Sequence, residues 1–364
     1  MAADLGAQMR ESAPYTEWLV GTAMSSIMSN MSARRQHTLP QFLLAGFVSR
    51  GRRFTWLFRK GRDPVETNVT NVAVGRDFYG KVQDTGIETL LSRRESDYAA
   101  FLKDAINRGG VPSDARAVAA GFVTNLMLRS SHLRAAFSDA HDSLITLLDS
   151  DEIAESFLRL FFKVAPRHTR KILGLRASDP IPEDVRWIVE RLSKADIKLV
   201  VKHFLEGLRS IPREEIVFDA QTRTLLHNPE PRVRLYADLH WTLHEERSAT
   251  FILGDVGPVA TFDGGEHFLL PIKDNRVPDM ICIPVSREYL LVGAKATGQA
   301  PPGTEQINQS IAELSAMFFV AALNTSAERS YHGAIGKRFH LLEFSEMAEL
   351  AEQAFKELAE EEDW

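Results

Sequence analysis

The sequence predicts an α+β protein, largely helical, with a central or flanking antiparallel sheet in a single module. Apolar residues in the middle of the chain recur at helical spacing. After Pro212 the pattern changes to short β-branched segments that turn residues separate. Helices that flank a segregated run of strands are typical of the α+β class. With 44% hydrophobic and 25% charged residues, the composition is that of an ordinary globular protein.

The first regular elements are expected to be a short helix and a β-hairpin. Pro40 suits the first turn of a helix over Gln41–Phe47, because a missing N–H costs nothing there. Arg53–Lys60 is aromatic and Val65–Val74 is β-branched, while Gly61–Pro64 between them has the composition of a turn. The polar face of this hairpin is expected to be basic.

The remaining elements are predicted from the period of the apolar residues. Helices are predicted around Ile87–Leu91 and Tyr98–Leu102, and over Ala115–Leu128, Ile153–Val164, Val185–Leu208, Thr304–Ala322 and Leu341–Leu358. Strands are predicted over Ile216–Phe218, Val233–Leu243, Thr250–Leu253, Phe268–Ile272, Met280–Val285 and Tyr289–Val292. We expect an N-terminal extension over residues 1–33, an α+β domain over 34–325 and an acidic helical region over 326–364.

Charge is distributed unevenly along the chain, although the formal net charge is only −6. Eight Lys or Arg residues and no acid lie between Met31 and Arg62, whereas nine acids and one lysine lie from Glu343 onward. Two interpretations remain open. Either the basic region faces phosphate groups, or it attracts the acidic end of the same chain.

The protein is expected to be cytoplasmic and to have no membrane partner. Its single cysteine, Cys282, excludes an intramolecular disulfide, and the apolar neighbours of that residue predict a place in the core. The first thirty residues lack the apolar stretch of a secretory signal. No window has the ~18 consecutive apolar residues that a membrane helix needs.

Several segments, taken in order, resemble a bacterial family known as domain of unknown function 4238. They are QHTLPQFLLAGF (36–47), NVAVGRDFY (71–79), ETLLSRRES (88–96), GFVTNLMLRSSHLR (121–134), FILGDVGPV (251–259), ICIPVSREYLLV (281–292) and INQSIAEL (307–314). The resemblance covers roughly residues 35–325. It implies no established reaction, and some members look like accessory genes of phage defence. This sequence has Gly254 where the family usually has Ser, and one extra residue in the turn at Val256–Pro258.

Four polar residues in the matched segments are candidate catalytic groups: His37, Glu88, Glu95 and Asp255. His37 stands at a helix entrance, where an imidazole can exchange a proton with a substrate. Glu88 and Glu95 share one helix face, about 10 Å apart along the axis, and with Asp255 they can hold a divalent metal through water. The alternatives are structural: His37 bonds to nearby backbone, Glu95 pairs with Arg94 or a neighbouring helix, and Asp255 bonds its own turn.

Basic residues are the candidates for binding nucleic acid or another anion. Arg129 and Arg134 lie near a predicted helix end, where guanidinium groups suit phosphate oxygens but equally favour the negative end of the helix. The hairpin contributes Arg52, Arg53, Arg59 and Lys60. Its aromatic residues suit stacking on unpaired bases, although their alternation along the strand favours a place in the core.

Common catalytic and metal-binding motifs are absent from the sequence. His240 and His244 fall on one face of a predicted strand, about 13 Å apart, which is too far for one zinc ion. The sequence has no glycine-rich phosphate-binding loop, no Gly-x-Ser-x-Gly nucleophile motif of hydrolases and no Cys-x-x-Cys pair.

The sequence supports two functional hypotheses. The first is a defence-associated, metal-assisted hydrolase of nucleic acid or nucleotide, in which His37, Glu88, Glu95, Arg129 and Asp255 share a pocket. The alternative is a non-catalytic module that binds nucleic acid or protein, such as a sensor or toxin component. In that case the acidic C-terminal helix contacts a protein partner or a second copy of the chain.

Overall fold

The computed structural model describes residues 35–48, 53–76, 85–148, 194–226, 230–262, 265, 267–269 and 277–339. Its helices in these ranges are α1 (Gln41–Leu44), α2 (Thr85–Arg108), α3 (Arg116–Arg129), α4 (Ser131–Leu148), α5 (Lys194–Ser210), α6 (Arg213–Leu226), α7 (Glu230–Ala237), α8 (Thr304–Leu314) and α9 (Ser326–His332). Its strands are β1 (Arg35–His37), β2 (Phe54–Arg59), β3 (Val65–Asn68), β4 (Val74–Arg76), β5 (His240–Glu245), β6 (Leu253–Gly254), β7 (Val259–Thr261), β8 (His267–Leu269), β9 (Met280–Pro284), β10 (Tyr289–Ala294) and β11 (Phe318–Ala321). All described strand pairings are antiparallel, which confirms the predicted α+β class.

The predicted hairpin is present and belongs to a four-stranded sheet with the order β3-β2-β11-β6. β2 pairs with β3 on one side and, on the other, places Arg59 opposite Phe318 of β11. The second strand is shorter than predicted. It ends at Asn68, whose side chain accepts a hydrogen bond from the Thr70 amide and starts a 3-10 turn. An asparagine that bonds to the backbone two residues on favours a turn over a continued strand.

A five-stranded sheet with the order β5-β10-β9-β7-β8 carries much of the core. Cys282 on β9 is fully buried, and burial raises the pKa of its thiol to about 12, so its predicted place in the core is confirmed. His240 and His244 lie on the edge strand β5, as predicted. Each of the two rings contacts a threonine hydroxyl.

The helices form a layer around α3, which is buried on almost every side. Helix α2 has 24 residues and joins the two helical segments predicted around Ile87–Leu91 and Tyr98–Leu102. Helix α3 packs against α2, α6 and α7. Among the described residues, a continuous cluster of buried apolar side chains connects this layer to both larger sheets.

A two-stranded ladder of β1 and β4 brings the N-terminal segment against the helical layer. Its register places His37 opposite Val74. Helix α1 follows after Pro40, as predicted, and buries Leu43 and Leu44 completely. Burial of these side chains holds the backbone of His37 next to α2 and α3.

Two predicted strands are wrong because local helix signals outweigh β-branched composition. Ile216–Phe218 lies inside α6, which follows Pro212 and has Glu214 and Glu215 in its first turn. A proline before a helix and acids in its first turn both favour helix formation. The first part of the predicted strand Val233–Leu243 is likewise helical, in α7, and only its end forms β5.

The predicted helix over Thr304–Ala322 is too long. Helix α8 ends at Leu314, Ser315 is extended, and Phe318–Ala321 forms β11 between β2 and β6. This strand is fixed by long-range pairing that no local pattern encodes. The predicted helices Ile153–Val164 and Leu341–Leu358, the first part of Val185–Leu208 and the extension over residues 1–33 lie outside the described residues, and the domain boundaries stay predictions.

Candidate functional site

Three of the predicted site residues meet where α2, α3 and β1 come together. The guanidinium of Arg129, at the end of α3, forms an ion pair with the carboxylate of Glu95 on α2. Its Nη2 donates to the backbone carbonyl of His37 at 2.6 Å. The Arg129 side chain is only 3% exposed and that of Glu95 is 29% exposed. The alternative in which Glu95 pairs with a neighbouring helix is therefore the one observed.

The imidazole of His37 is held by hydrogen bonds at both ring nitrogens. Its Nδ1 lies 3.1 Å from the carbonyl oxygen of Val72, and its Nε2 lies 2.8 Å from the side-chain amide nitrogen of Gln41. An amide NH₂ donates, so Nε2 is the acceptor and Nδ1 carries the proton that Val72 accepts. In this tautomer the acceptor nitrogen, Nε2, lies towards the exposed Gln41 side chain.

Tyr98 is a buried polar residue next to this cluster that the sequence analysis did not single out. Burial raises the pKa of its hydroxyl, while the positive charges of Arg94 and Arg129 lower it. The ring packs on Phe122, with 5.5 Å between centroids. Tyr98 follows Glu95 by three residues, so helical spacing from a candidate acid was the signal that could have found it.

Asp255 occupies a different, structural environment. Its buried carboxylate accepts hydrogen bonds from the backbone amides of Ala316, Met317 and Phe318 at 2.8, 2.7 and 3.3 Å. Burial raises the pKa of Asp255 to about 6, although the amide hydrogen bonds lower it. The carboxylate thus holds the loop between α8 and β11. The predicted alternative, in which Asp255 bonds its own turn, did not include this contact with a loop that is distant in sequence.

Gly254, which stands where the family usually has serine, lies in a closely packed place between β6 and α8. A Cβ at this position would lie 2.3 Å from Ser315 Oγ and 3.0 Å from Ile311 Cγ2, so a glycine lets α8 approach β6. Asn308 on α8 fixes the segment before β6, because its side chain donates to the Thr250 carbonyl and accepts from the Ile252 amide. The turn around Asp255 is therefore tied to α8 from two sides.

The predicted metal ligands are not observed as a cluster. Glu88 lies on α2 with Glu95, as predicted, but its side chain is outside the part that the structure describes. Among the described residues, no group of three or more His, Cys, Asp or Glu side chains is arranged to hold a metal ion. The metal role of Glu88, Glu95 and Asp255 stays a prediction.

Arg129 and Arg134 do not share one helix end. Arg129 is the last residue of α3, Ser130 is extended, and Arg134 lies in the first turns of α4, so the expectation that both close one helix is wrong. Arg134 lines a cavity of about 280 Å³ between α4 and α6, together with Arg213 and Glu214. The carboxylate of Asp142 already pairs with Arg213, at 2.7 Å.

Exposed cations surround the β2–β3 hairpin. We define the basic hairpin surface as Arg53, Arg59, Lys60, Arg62 and Lys337, all of which are exposed. In the part of the chain that the structure describes, no acidic side chain forms an ion pair with these five. Arg52 lies outside the described residues.

The chain segment after α9 lies directly against this hairpin. Lys60 Nζ is 2.5 Å from where a Cβ on Gly336 would be, so the end of the Lys60 side chain lies directly against the backbone of Gly336. His332 at the end of α9 places its Nε2 2.7 Å from the carbonyl of Arg59. Lys337 therefore belongs to the same surface as the hairpin cations.

Apolar side chains lie beside these cations. Phe54 is 45% exposed and Met317 is 60% exposed, whereas Trp56 is half-buried and Phe58 fully buried. The expectation that the aromatic residues of β2 point into the core is thus correct for Phe58 and wrong for Phe54. No described helix is both long and apolar enough to cross a membrane.

Comparison with known proteins gives a family and little else. A sequence model of the family described as protein of unknown function, DUF4238, matches residues 35–326. The match contains the Arg129 cluster, Asp255 and the hairpin. No curated protein and no solved structure matches the chain.

Proposed function

The chain belongs to the family of proteins of unknown function DUF4238, and we propose that it binds single-stranded nucleic acid through the basic hairpin surface. The observation that carries the proposal is the group of five exposed cations, which form no ion pair with an acid of the described residues. Nucleic-acid phosphates release bound counterions when Lys and Arg side chains neutralise them, and this release drives most sequence-independent binding.

Exposed aromatic area favours unpaired strands over duplex. Phe54 and Trp56 are two residues apart on β2, so they share one face of the strand; Phe54 is 45% exposed and Trp56 is half-buried. Stacking of unpaired bases on aromatic rings contributes about 1–3 kcal/mol per base. In a duplex the faces of the bases are covered by neighbouring bases and cannot stack on a protein side chain.

The hairpin also carries two exposed acids, Asp63 and Glu66. The cations of the surface outnumber these acids by five to two, so the local charge stays positive while the whole chain is at −6. Arg129 is not part of the proposed surface, because its guanidinium is buried against Glu95. Arg134 lies in a separate cavity.

The proposal predicts that hairpin cations set the salt dependence of binding. Lys60→Ala combined with Arg62→Ala removes two phosphate contacts, and each lost contact is expected to reduce the slope of log Kobs against log salt by about 0.7. Fluorescence anisotropy with a labelled oligothymidine at several salt concentrations measures this slope. Arg108→Ala serves as the matched control, since Arg108 is exposed on α2 but already pairs with Asp104.

Two results would contradict the proposal. One is an oligothymidine that fails to bind at low salt even when the nine acids from Glu343 onward are replaced by their amides. The other is a double variant with the same salt slope as the Arg108→Ala protein. A similar affinity for duplex and single strands would contradict only the role of the rings, which Phe54→Ala tests separately.

A second candidate function is hydrolysis of a phosphodiester at His37. The observation that favours it is the orientation of the ring: Val72 fixes Nδ1–H, and the unprotonated Nε2 lies at the exposed Gln41 side chain. When the exposed Gln41 side chain moves off Nε2, this nitrogen can take a proton from water; the hydroxide attacks phosphorus, the bond to the leaving oxygen breaks, and that oxygen takes a proton from solvent.

This candidate predicts that activity depends on His37. If oligonucleotides are cleaved with Mg²⁺ or Mn²⁺, His37→Ala is expected to lower the rate about 10²–10⁴-fold, which is the usual contribution of a general base. His203→Ala is the control, because that imidazole is exposed on α5 and bonds only to Glu206 in the described structure. Cleavage at equal rates by the two variants, or none with any metal, would rule this candidate out.

A further inference from the structure

We propose that the acidic C-terminal segment, residues 343–364, occupies the basic hairpin surface and competes there with nucleic acid. The competing ligand rests on the proposed function, but the contact between segment and hairpin does not. Three features of the molecule support it: the place where the described chain ends, the charge of residues 343–364, and the lack of acidic partners on the described hairpin.

The described chain ends beside the basic hairpin surface. Gly336 adjoins Lys60 Nζ, and Lys337 is itself a member of the surface. The ring of Phe339 contacts His132 at the start of α4, with 5.5 Å between centroids, which fixes the chain near its last described residue. Six residue steps lead from Lys337 to Glu343 and span at most about 22 Å. The first acids are therefore within reach of Lys60, which adjoins Gly336.

The charges of the segment and the surface are complementary. From Glu343 onward nine acids and one lysine carry a net charge of −8, so the rest of the chain, at −6 overall, carries about +2. Single exposed ion pairs contribute about 0–1 kcal/mol each. A segment tethered next to its site, however, is present at an effective concentration in the millimolar range. Several weak pairs are then enough to fill the surface.

Occupation of the surface has a consequence for binding. Carboxylates of the segment and phosphates of a nucleic acid need the same five cations, so each excludes the other. A weak tethered contact of this kind is expected to reduce the affinity for an oligonucleotide about tenfold. Salt screens both contacts, because the cations are exposed.

Zero-length carbodiimide crosslinking of the full-length protein tests the contact directly. Lys60 and Lys337 are expected to form amide crosslinks with carboxylates of residues 343–363, and ~1 M salt is expected to suppress them. Lys103, an exposed lysine on α2, is the internal control and should give none. Absence of crosslinks to both surface lysines would overturn the inference. Crosslinks only between isotopically distinct copies would assign the segment to a second copy and overturn it too.

A full-length variant tests the competition. In it the nine acids from Glu343 onward are replaced by their amides, and its thermal midpoint is compared with that of the original chain. We expect the variant to bind an oligothymidine about tenfold more tightly. Unchanged affinity, with binding still sensitive to Lys60→Ala and Arg62→Ala, would overturn the competition and leave the proposed function standing. Crosslinks without nucleic-acid binding by either chain would remove the proposed function and leave the contact standing.

Discussion

Replacement of Arg129 by alanine is expected to lower the free energy of unfolding by about 3–5 kcal/mol. The guanidinium is 3% exposed and joins α3 to the Glu95 carboxylate of α2 and to the His37 carbonyl of β1. Its loss leaves the Glu95 carboxylate, which is 29% exposed, without its positive partner, and the His37 carbonyl without its donor. Removing one partner of a buried pair costs more than the pair itself contributes, because the remaining charge stays desolvated.

Two further variants separate the buried charge from a general effect of losing arginine. Glu95→Gln keeps a hydrogen-bond acceptor for Arg129 but leaves the buried guanidinium without its counter-charge, and we expect a loss of similar size. Arg108→Ala removes an arginine from an exposed pair with Asp104, and we expect no measurable change. Urea denaturation monitored by circular dichroism gives all three free energies. Equal midpoints for the Arg129 and Arg108 variants would contradict a structural role for the buried pair.

The regular elements that the sequence predicts correctly are those with strong local signals. The hairpin has a turn between two β-rich runs, and α3 has an uninterrupted apolar pattern over Ala115–Leu128. Errors occur where local preference and tertiary contacts disagree. The apolar run Phe318–Ala321 fits the end of a helix as well as it fits a strand. Only its pairing with β2 and β6 decides in favour of the strand.

The sequence identifies residues of the candidate site but not the contacts that these residues make. Family resemblance pointed to His37, Glu95 and Arg129, and the structure brings these three together. The contact between Arg129 and His37, however, uses a backbone carbonyl, which leaves no mark on the sequence. The same holds for Asp255, whose partners are the amides of a loop some sixty residues away. Contacts of side chains with backbone depend on packing, which a single sequence does not display.

Replacement of Asp255 by alanine is expected to cost about 3–5 kcal/mol at pH 5, because three amides in the loop after α8 lose their acceptor. Asp255→Asn keeps one acceptor oxygen in the same shape, and we expect about half of that loss. Thr261→Ala on β7 is the control. It also truncates a buried polar side chain, but one that is not the common acceptor of several backbone amides. A loss for Asp255→Ala no larger than that of the control would mean that water satisfies the amides.

The loss of unfolding free energy in Asp255→Ala is also expected to depend on pH. Because the Asp255 carboxyl is buried, we expect this loss to become smaller as the pH rises. Burial raises the pKa of Asp255 to about 6 in the folded protein, against about 4 in an unfolded chain. The folded state therefore binds the proton more tightly, and the stability from this difference is fully present below pH 4 and lost as pH rises through 6. The gap in unfolding free energy between the original chain and Asp255→Ala should narrow by about 2 kcal/mol from pH 4 to pH 7. A gap that widens instead would place the folded pKa below the unfolded one, because the three amide hydrogen bonds would then outweigh burial.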